Sequence, residues 1–354
     1  MKWTKWLLPN TRLGKWFFLR LAETVLPETM LERQVIKRGP KIVAIGGGTG
    51  LSALLRGLKK YSSNLTAVVT VFDDGGSSGR LRGELGILPP GDIRNCLVAM
   101  ADKETSMEQL FSYRFNEGSS LKGHNLGNLL IAAMTDIKDK DFDAAIQEIS
   151  RVLAVRGQVL PATLTLNKLC AELVDGSHIE GESNFSEGQR PIKRVFMCPE
   201  ECKPLDSTLE AIHNADLIVL GPGSLYTSVI PNLLVDGIPE ALRESKAPLY
   251  YVCNIMTQRG ETVGYSASEH IKALIDYGVK PDVAIINNRP IPKNYLRRYQ
   301  EENATPVRYD ASKVSMLGTR AILANLAELD HFVRHNSEEL AKIIIKEALY
   351  NKQN

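Results

Sequence analysis

The chain has 354 residues, of which 24% are charged and 44% are apolar, and its formal net charge is +2. This length allows one large domain or two ordinary domains with a sizeable core. The near-neutral net charge differs from the strongly basic charge typical of a nucleic-acid-binding protein, so no nucleic-acid partner is predicted.

Residues 1–38 form a basic N-terminal extension. All three tryptophans lie there, and residues 1–20 carry five basic and no acidic side chains. Residues 12–26 predict an amphipathic helix. Charges interrupt every apolar run, so neither a transmembrane span nor a signal peptide is predicted. Two interpretations stay open: the extension contacts an anionic membrane surface or a protein partner, or it packs on its own domain or on an identical subunit in a homo-oligomer.

Residues 39–354 alternate strands and helices and predict a single domain. A buried strand at 42–45 precedes a helix, and the run LTAVVTVF predicts a second strand. Three helices are then expected, over GDIRNCLVAMAD, over GHNLGNLLIAAMTD and over residues 143–155. Residues 158–197 alternate in polarity and contain Asp175-Gly176, a hairpin signal, so they predict a small β insert.

The alternation resumes after the insert. A helix at 206–214, a strand at 216–220, a helix over PEALRES and two strands flanking a helix at 268–277 are predicted. A C-terminal helix at about 337–349 begins with a capping box formed by Asn336 and Glu339. Strands separated by helices indicate an α/β fold with a Rossmann-like, doubly wound, mainly parallel sheet.

Two glycine loops follow predicted strands, where ligands bind in such sheets. The first glycine loop consists of Gly46, Gly47, Gly48, Thr49 and Gly50, and the second consists of Gly221, Pro222, Gly223 and Ser224. A glycine turn before a helix favours a phosphate, and the alternative is plain turn chemistry. The first loop lacks the Gly-Lys-Ser/Thr of a P-loop, and Leu51 replaces the third glycine of the dinucleotide fingerprint.

An acidic loop, residues 73–80, follows the second predicted strand. It contains Asp73, Asp74, Gly75, Gly76, Ser77, Ser78 and Arg80. Asp73 is placed to bind a ribose hydroxyl, or the two adjacent acids hold a Mg²⁺ ion, or they cap a turn. The serines and Arg80 can donate to an anion.

Further polar candidates lie beyond the acidic loop. Asp92 stands before a helix as a ligand contact or an N-cap, and Arg94, next to Asn95, indicates an anionic partner in the protein or in a ligand. His124 and Asn128 share a helix face, where they contact a ligand or serve the structure. Asn254 and Asn287 follow two later strands.

Five cysteines are scattered through the chain. Cys198 and Cys202 are close, but their CxxxC spacing has no second pair and is a weak zinc signal. Five free thiols in a reducing compartment are therefore expected.

Six motifs resemble the YvcK family of bacterial gluconeogenesis factors, and more distantly the CofD 2-phospho-lactate transferases. They are VAIGGGTGLSALLRGL, VTVFDDGGSSGRLR, LPPGDIRN, GHNLGNLLIAA, LGPGSLYTSVIPNLL and YVCNIMTQRGET, within residues 41–329. The resemblance implies a cytoplasmic protein that binds a UDP-sugar, UDP-N-acetylglucosamine in particular. It also implies a role in carbon flow toward cell-wall precursors and in cell shape, with glucosamine 6-phosphate synthase as a partner.

The same resemblance implies roles for individual residues. It assigns both glycine loops to the diphosphate, Asp73 and Asp74 to ribose, sugar or a cation, and Arg308 to the UDP-sugar. No catalytic residue is assigned, and no cofactor is required, with Mg²⁺ as an optional ligand. A regulator without turnover is favoured, and the alternative is a Mg²⁺-dependent transferase of a phosphate-linked group. The N-terminal extension is absent from the compact family pattern, which favours a membrane-peripheral location for this chain.

Overall fold

The computed structural model describes residues 36–102, 106–116, 118, 120–185, 191–301 and 303–351. The amphipathic helix expected at residues 12–26 lies outside these ranges. Within them, no helix combines the length and the apolar character needed to cross a bilayer.

A seven-stranded parallel sheet forms the centre of the fold. Its spatial order is β10 (Arg320–Ala324), β9 (Val283–Asn287), β8 (Leu249–Val252), β7 (Leu217–Leu220), β1 (Ile42–Gly46), β2 (Leu65–Val69) and β3 (Gln158–Pro161). Every neighbouring pair runs parallel. Strands β1, β2, β7 and β8 are buried along their whole length, as expected where helices cover both faces. The predicted α/β fold class is confirmed.

The strand order reverses between β1 and β7. From β1 the chain proceeds to β2 and β3 in one direction, and from β7 it proceeds to β10 in the other. The first glycine loop follows β1 and the second follows β7, and the Gly221 N–H donates to the Ile45 carbonyl at 2.9 Å. The two loops therefore lie side by side at the switch point, where open α/β sheets form their ligand crevice.

Helices connect and cover the strands. They are α1 (Gly48–Leu58), α2 (Gly76–Leu85), α3 (Gly91–Met100), α4 (Ser106–Ser112), α5 (Leu126–Ile137), α6 (Phe142–Val152), α7 (Asp206–His213), α8 (Ile230–Leu233), α9 (Ile238–Glu244), α10 (Ala267–Asp276), α11 (Lys293–Gln300), α12 (Ala311–Met316) and α13 (Ser337–Asn351). Helix α1 buries Leu51, Leu54, Leu55 and Leu58 at helical spacing and packs on α3 and α13. At the start of α13, Asn336 Oδ1 accepts the Glu339 N–H at 2.9 Å.

The segment expected as a β insert, 158–197, divides into two parts. Its first residues form β3, the edge strand of the central sheet, because this short apolar run pairs with β2. Strands β4 (Lys168–Leu173), β5 (His178–Glu180) and β6 (Ile192–Cys198) form a separate antiparallel sheet, and Gly176 in the β4–β5 turn has φ +82°. A 3-10 turn, Glu182–Asn184, follows β5. Residues 168–198 are called the insert below.

The expectation of five free thiols is wrong for two cysteines. Cys170 and Cys198 form a disulfide, because β4 and β6 run antiparallel and bring their Cα atoms to 6.3 Å. Cys96, Cys202 and Cys253 are free and buried. The partner of Cys198 is therefore in the neighbouring strand and not in its CxxxC spacing.

A third sheet, with two strands, is formed by β11 (Ala327–Leu329) and β12 (Val333–His335) and precedes α13. The side chain of Asn287, at the end of β9, links this hairpin to the central sheet through hydrogen bonds. The Asn287 Oδ1 accepts the N–H groups of Leu326 and Ala327, both at 3.1 Å. This hairpin thus lies near the carboxyl ends of the strands.

Candidate functional site

A cavity of about 850 Å³ opens at the carboxyl ends of the central strands. Eight of the residues predicted from the sequence line it: Gly47, Gly48, Thr49, Gly50, Pro222, Gly223, Ser224 and Asn254. Gly46 ends β1, and Gly221 follows β7 directly, next to Gly46. The switch point therefore coincides with a cavity of the size that small-molecule sites have.

The two glycine loops are packed tightly against each other. A Cβ at Gly50 would lie 2.5 Å from the Pro222 carbonyl oxygen, and one at Gly223 would lie 3.3 Å from the Gly47 oxygen. A Cβ at Gly47 would overlap Thr70 and lie 2.7 Å from Asp92 Oδ2. These glycines are therefore required for the close approach of the loops, independently of any ligand.

The side chain of Asp92, a residue of α3, lies at the start of α1. Its Oδ2 accepts the Gly48 N–H at 2.6 Å, and burial raises the pKa of Asp92 to about 6. The N-cap position of α3 is Pro90, so Asp92 lies in the first turn of α3 and does not cap it. The Gly48 N–H, expected to bind phosphate, is already paired within the protein.

Glu261 plays the corresponding part at the second glycine loop. Its carboxylate accepts from Ser224 Oγ at 2.5 and 2.6 Å and from the Tyr226 N–H at 3.1 Å. Burial raises the pKa of Glu261. Each glycine loop therefore carries a resident carboxylate, which a ligand phosphate would have to avoid or displace.

The two aspartates of the acidic loop face different partners. Asp73 Oδ1 accepts the Gly75 N–H at 2.9 Å, and burial raises the pKa of Asp73. Asp74 Oδ1 accepts the Ser183 N–H from the insert at 2.9 Å. In the described part of the chain, no group of three or more His, Cys, Asp or Glu side chains is placed to hold a metal ion. The Mg²⁺ site at Asp73 and Asp74 stays a prediction.

A buried polar network lies beside the cavity and joins several predicted residues. Ser77 Oγ lies 3.2 Å from His124 Nδ1 and accepts from Asn128 Nδ2 at 3.2 Å. Arg94 donates to Asn128 Oδ1 at 2.9 Å and to Asn95 Oδ1 at 2.6 Å. Burial lowers the pKa of His124 and, together with a neighbouring arginine, lowers that of Arg94 to about 10. None of these side chains lines the cavity.

The remaining members of the acidic loop serve the start of α2. Gly75 is its N-cap residue and Gly76 has φ +48°. Ser78 is buried in the first turn of α2. Arg80 donates to the Lys122 carbonyl at 2.8 Å. These contacts attach the acidic loop to neighbouring parts of the protein.

Asn287 and Arg308 lie outside the cavity lining. The Asn287 side chain holds the backbone that leads into β11, as described above, and also accepts the Arg289 N–H at 3.2 Å. The Arg308 side chain is exposed, and its carbonyl accepts the Ala267 N–H at 2.9 Å.

Sequence reasoning missed the charged and aromatic lining of the cavity: Glu182, Arg259, Glu261, Tyr299, Arg334 and His335. Arg259 and Glu261 follow β8 within the motif MTQRGET, so their position after a strand was an available signal. Arg334 lies on β12 and Glu182 on the insert, and no strand of the central sheet ends at either position.

Two further lining side chains have defined hydrogen-bonding states. His335 Nε2–H donates to the Cys253 carbonyl at 3.1 Å, and burial lowers the pKa of His335 to about 4, so its ring is neutral. Asn254 Nδ2 donates to Gln258 Oε1 at 3.2 Å, while the buried Asn254 Oδ1 has no partner among the described residues. Asn254 therefore offers a free acceptor at the cavity wall.

Comparison with known proteins places the chain among well-defined relatives. The family model described as 2-phospho-L-lactate transferase CofD matches residues 42–327. A protein of Halalkalibacterium halodurans named gluconeogenesis factor is 50% identical over 309 residues, covering 86% of this chain and 95% of that protein. The gluconeogenesis factor of Bacillus subtilis is 48% identical over 310 residues, covering 86% and 97%. A crystal structure from Bacillus halodurans, described as a member of the UPF0052 family, is 49% identical and covers 87% of this chain and 99% of that chain with a TM-score of 0.84.

Proposed function

The chain belongs to the CofD family and, within it, to the gluconeogenesis factors of the YvcK or UPF0052 type, and from this premise we propose that it is a regulatory protein that binds a UDP-sugar. UDP-N-acetylglucosamine is the ligand that we expect. In this proposal the bound nucleotide sugar reports the supply of cell-wall precursors, and the protein adjusts carbon flow toward them and thereby cell shape.

The observation that carries the proposal is the pair of arginines in the cavity at the switch point. Arg259 and Arg334 line the cavity and their side chains are exposed. Guanidinium groups bind phosphate oxygens in a fork geometry. Because Asp92 and Glu261 already fill the starts of the helices behind the glycine loops, these two arginines are the best-placed groups for a diphosphate.

The hydrogen-bonding states of the cavity favour binding without turnover. Asp92 is held by the Gly48 N–H, Glu261 by Ser224 and the Tyr226 N–H, and the neutral His335 by the Cys253 carbonyl. Each of these groups holds a loop or a backbone segment, and in this proposal we assign them structural roles. A transferase of a phosphate-linked group, as in the description of the family model, is the alternative function.

Calorimetric titration with UDP-N-acetylglucosamine, followed by analysis of the recovered nucleotide, tests the proposal. We expect binding with the ligand recovered intact. Loss of one guanidinium in Arg259→Ala or Arg334→Ala should weaken binding about 10- to 100-fold, the usual effect of removing a charge-assisted hydrogen-bonding group. Arg297→Ala is the matched control, because Arg297 is exposed on α11 and outside the cavity.

The outcomes separate the alternatives. Conversion of the nucleotide sugar would establish the transferase function, and the acidic loop would then be tested for Mg²⁺ dependence. No binding by the unmodified protein, or equal binding by all three variants, would refute the proposed site.

The protein partner that we propose is glucosamine 6-phosphate synthase, the enzyme at the entry to amino-sugar synthesis. The measurement is the rate of that enzyme with and without this protein, at zero and saturating UDP-N-acetylglucosamine. We expect the rate to change on addition of the protein and the change to depend on the nucleotide sugar. An unaltered rate in all four conditions would refute the partner. Pelleting with anionic vesicles, with and without residues 1–38, tests the membrane-peripheral location.

A further inference from the structure

The cavity lining combines basic and acidic side chains from different parts of the chain. Arg259 follows β8 and Arg334 lies on β12, so both come from the part of the chain that builds β7 to β10 and the hairpin after it. Glu182 enters the cavity lining from the insert, which follows β3. Asp73 and Asp92, from the segments after β2, act electrostatically on Glu182, as does Glu261. Arg259 and Arg334 are therefore the basic groups of the lining, and Glu182 lies in the fields of three carboxylates.

Glu182 is held in place by contacts on both sides of it in the chain. The Ser183 N–H donates to Asp74 Oδ1 at 2.9 Å. Gly181 has φ +91°, and a Cβ there would overlap Asp74 Oδ2, so the turn packs directly on this aspartate. Thr227, which follows the second glycine loop, lines the same cavity as Glu182. The turn of the insert is thus fixed to the acidic loop, with Glu182 facing the cavity.

We propose that Glu182 is a specificity-determining residue of this cavity, which binds the neutral, hydroxyl- and amide-bearing group that extends beyond the diphosphate of the ligand. Asp74 is the residue that positions it. This inference rests on the proposed function, because it takes the diphosphate to lie at Arg259 and Arg334.

The charges around Glu182 determine which end of such a ligand lies beside it. A diphosphate beside Glu182 would also meet the fields of Asp73, Asp92 and Glu261, which repel an anion. A neutral sugar is not repelled, and its hydroxyl and amide groups can both donate and accept. The arginines therefore take the anionic part and Glu182 takes the uncharged polar part.

Protonation gives Glu182 the chemistry for this role. Burial, and then the carboxylates of Asp73, Asp92 and Glu261, raise the pKa of Glu182 to about 9. At neutral pH its carboxyl group is protonated, so it donates through O–H and accepts through its carbonyl oxygen. A ligand that lacks the sugar leaves this half-buried group without a ligand partner, which discriminates against that ligand.

The test is the ratio of the affinities for UDP-N-acetylglucosamine and for UDP, measured by calorimetry at pH 7 on the full chain. The unmodified protein should prefer the nucleotide sugar by about 10- to 100-fold, and Glu182→Ala should remove about 10-fold of that preference with the affinity for UDP unchanged. Glu182→Gln should keep most of it, because an amide also donates and accepts. Asp74→Asn should lower the ratio by less than Glu182→Ala.

Glu180→Gln is the matched control. Glu180 is exposed in the same insert, pairs with Lys168 and lies outside the cavity. The ratio of the two affinities in Glu180→Gln should equal that of the unmodified protein.

Each result has one meaning. A wild-type ratio in Glu182→Ala, with UDP still bound, would overturn the inference and leave the proposed function intact. Equal weakening of both ligands would also overturn it, since Glu182 would then only support the shape of the site. Failure of the unmodified protein to bind either ligand would refute the proposed function itself.

Discussion

Replacing Glu182 by glutamine should make the unliganded protein more stable, and increasingly so as the pH rises. In the folded chain Glu182 keeps its proton up to about pH 9, whereas in the unfolded chain it ionises at the ordinary value of 4.5. Between these values the folded state binds more protons, so the free energy of unfolding falls as the pH rises. Glutamine has nearly the same shape and does not ionise.

The magnitude follows from the same two pKa values. From 4.5 to pH 7 is 2.5 units, and at 1.36 kcal/mol per unit the folded state gives up at most about 3 kcal/mol by keeping the carboxyl group neutral. The free energy of unfolding of Glu182→Gln should therefore exceed that of the unmodified protein by up to about 3 kcal/mol at pH 7 and match it near pH 4.5. The difference should grow by about 1.4 kcal/mol per pH unit in between.

Urea denaturation at pH 5, 6, 7 and 8 measures this difference directly. Glu180→Gln serves as the control, because Glu180 is exposed in the same insert and lies outside the cavity. A difference between Glu182→Gln and the unmodified protein that stays constant from pH 5 to pH 8 would show that Glu182 is an ordinary, ionised carboxylate. The chemistry assigned to it above would then be wrong.

Three further predictions concern residues whose roles the structure defines. Gly47→Ala should lower the free energy of unfolding by about 1–3 kcal/mol, because its Cβ meets Thr70 and Asp92, whereas Gly83→Ala, in open space on α2, should not; equal stability in urea would contradict this. Arg308→Ala should leave the calorimetric affinity for UDP unchanged, and a tenfold loss would place a ligand contact there. Asn287→Ala should lower the free energy of unfolding by about 1–3 kcal/mol, because three backbone N–H groups lose their acceptor, with unchanged UDP affinity; weaker binding at full stability would contradict this.

The central sheet could be predicted where the chain gives a strong local signal. Strands β1, β7 and β9 are apolar runs that end in, or are directly followed by, glycine or asparagine, and the positions of their helices follow from spacing and caps. Strand β3 has only a short apolar run and β10 is only partly buried, so neither gives a strong strand signal. The β11–β12 hairpin has strands of three residues, too short for any periodicity.

The site was predicted as a set of strand ends, but the partners of its residues were not predictable. The hydrogen bond between Gly48 and Asp92 spans 44 residues, and that between Asp74 and Ser183 spans 109. Single-sequence patterns report neighbours within one helix, strand or turn, whereas these contacts depend on how the elements pack. The contact of Asp74 with the insert was therefore not predictable from the paired aspartates, whose Mg²⁺ site stays a prediction. The disulfide of Cys170 and Cys198 escaped prediction for the same reason.

The tight contact between the two glycine loops affects how related sequences should be interpreted. Gly50 and Gly223 are demanded by the approach of one loop to the other, so a relative that has lost its ligand, or has exchanged it for another, would still need them. A match at these glycines therefore reports shared architecture. The residues responsible for differences in ligand among such relatives should instead be sought at positions 182, 259 and 334. Side chains there can change without disturbing the contact between the two glycine loops.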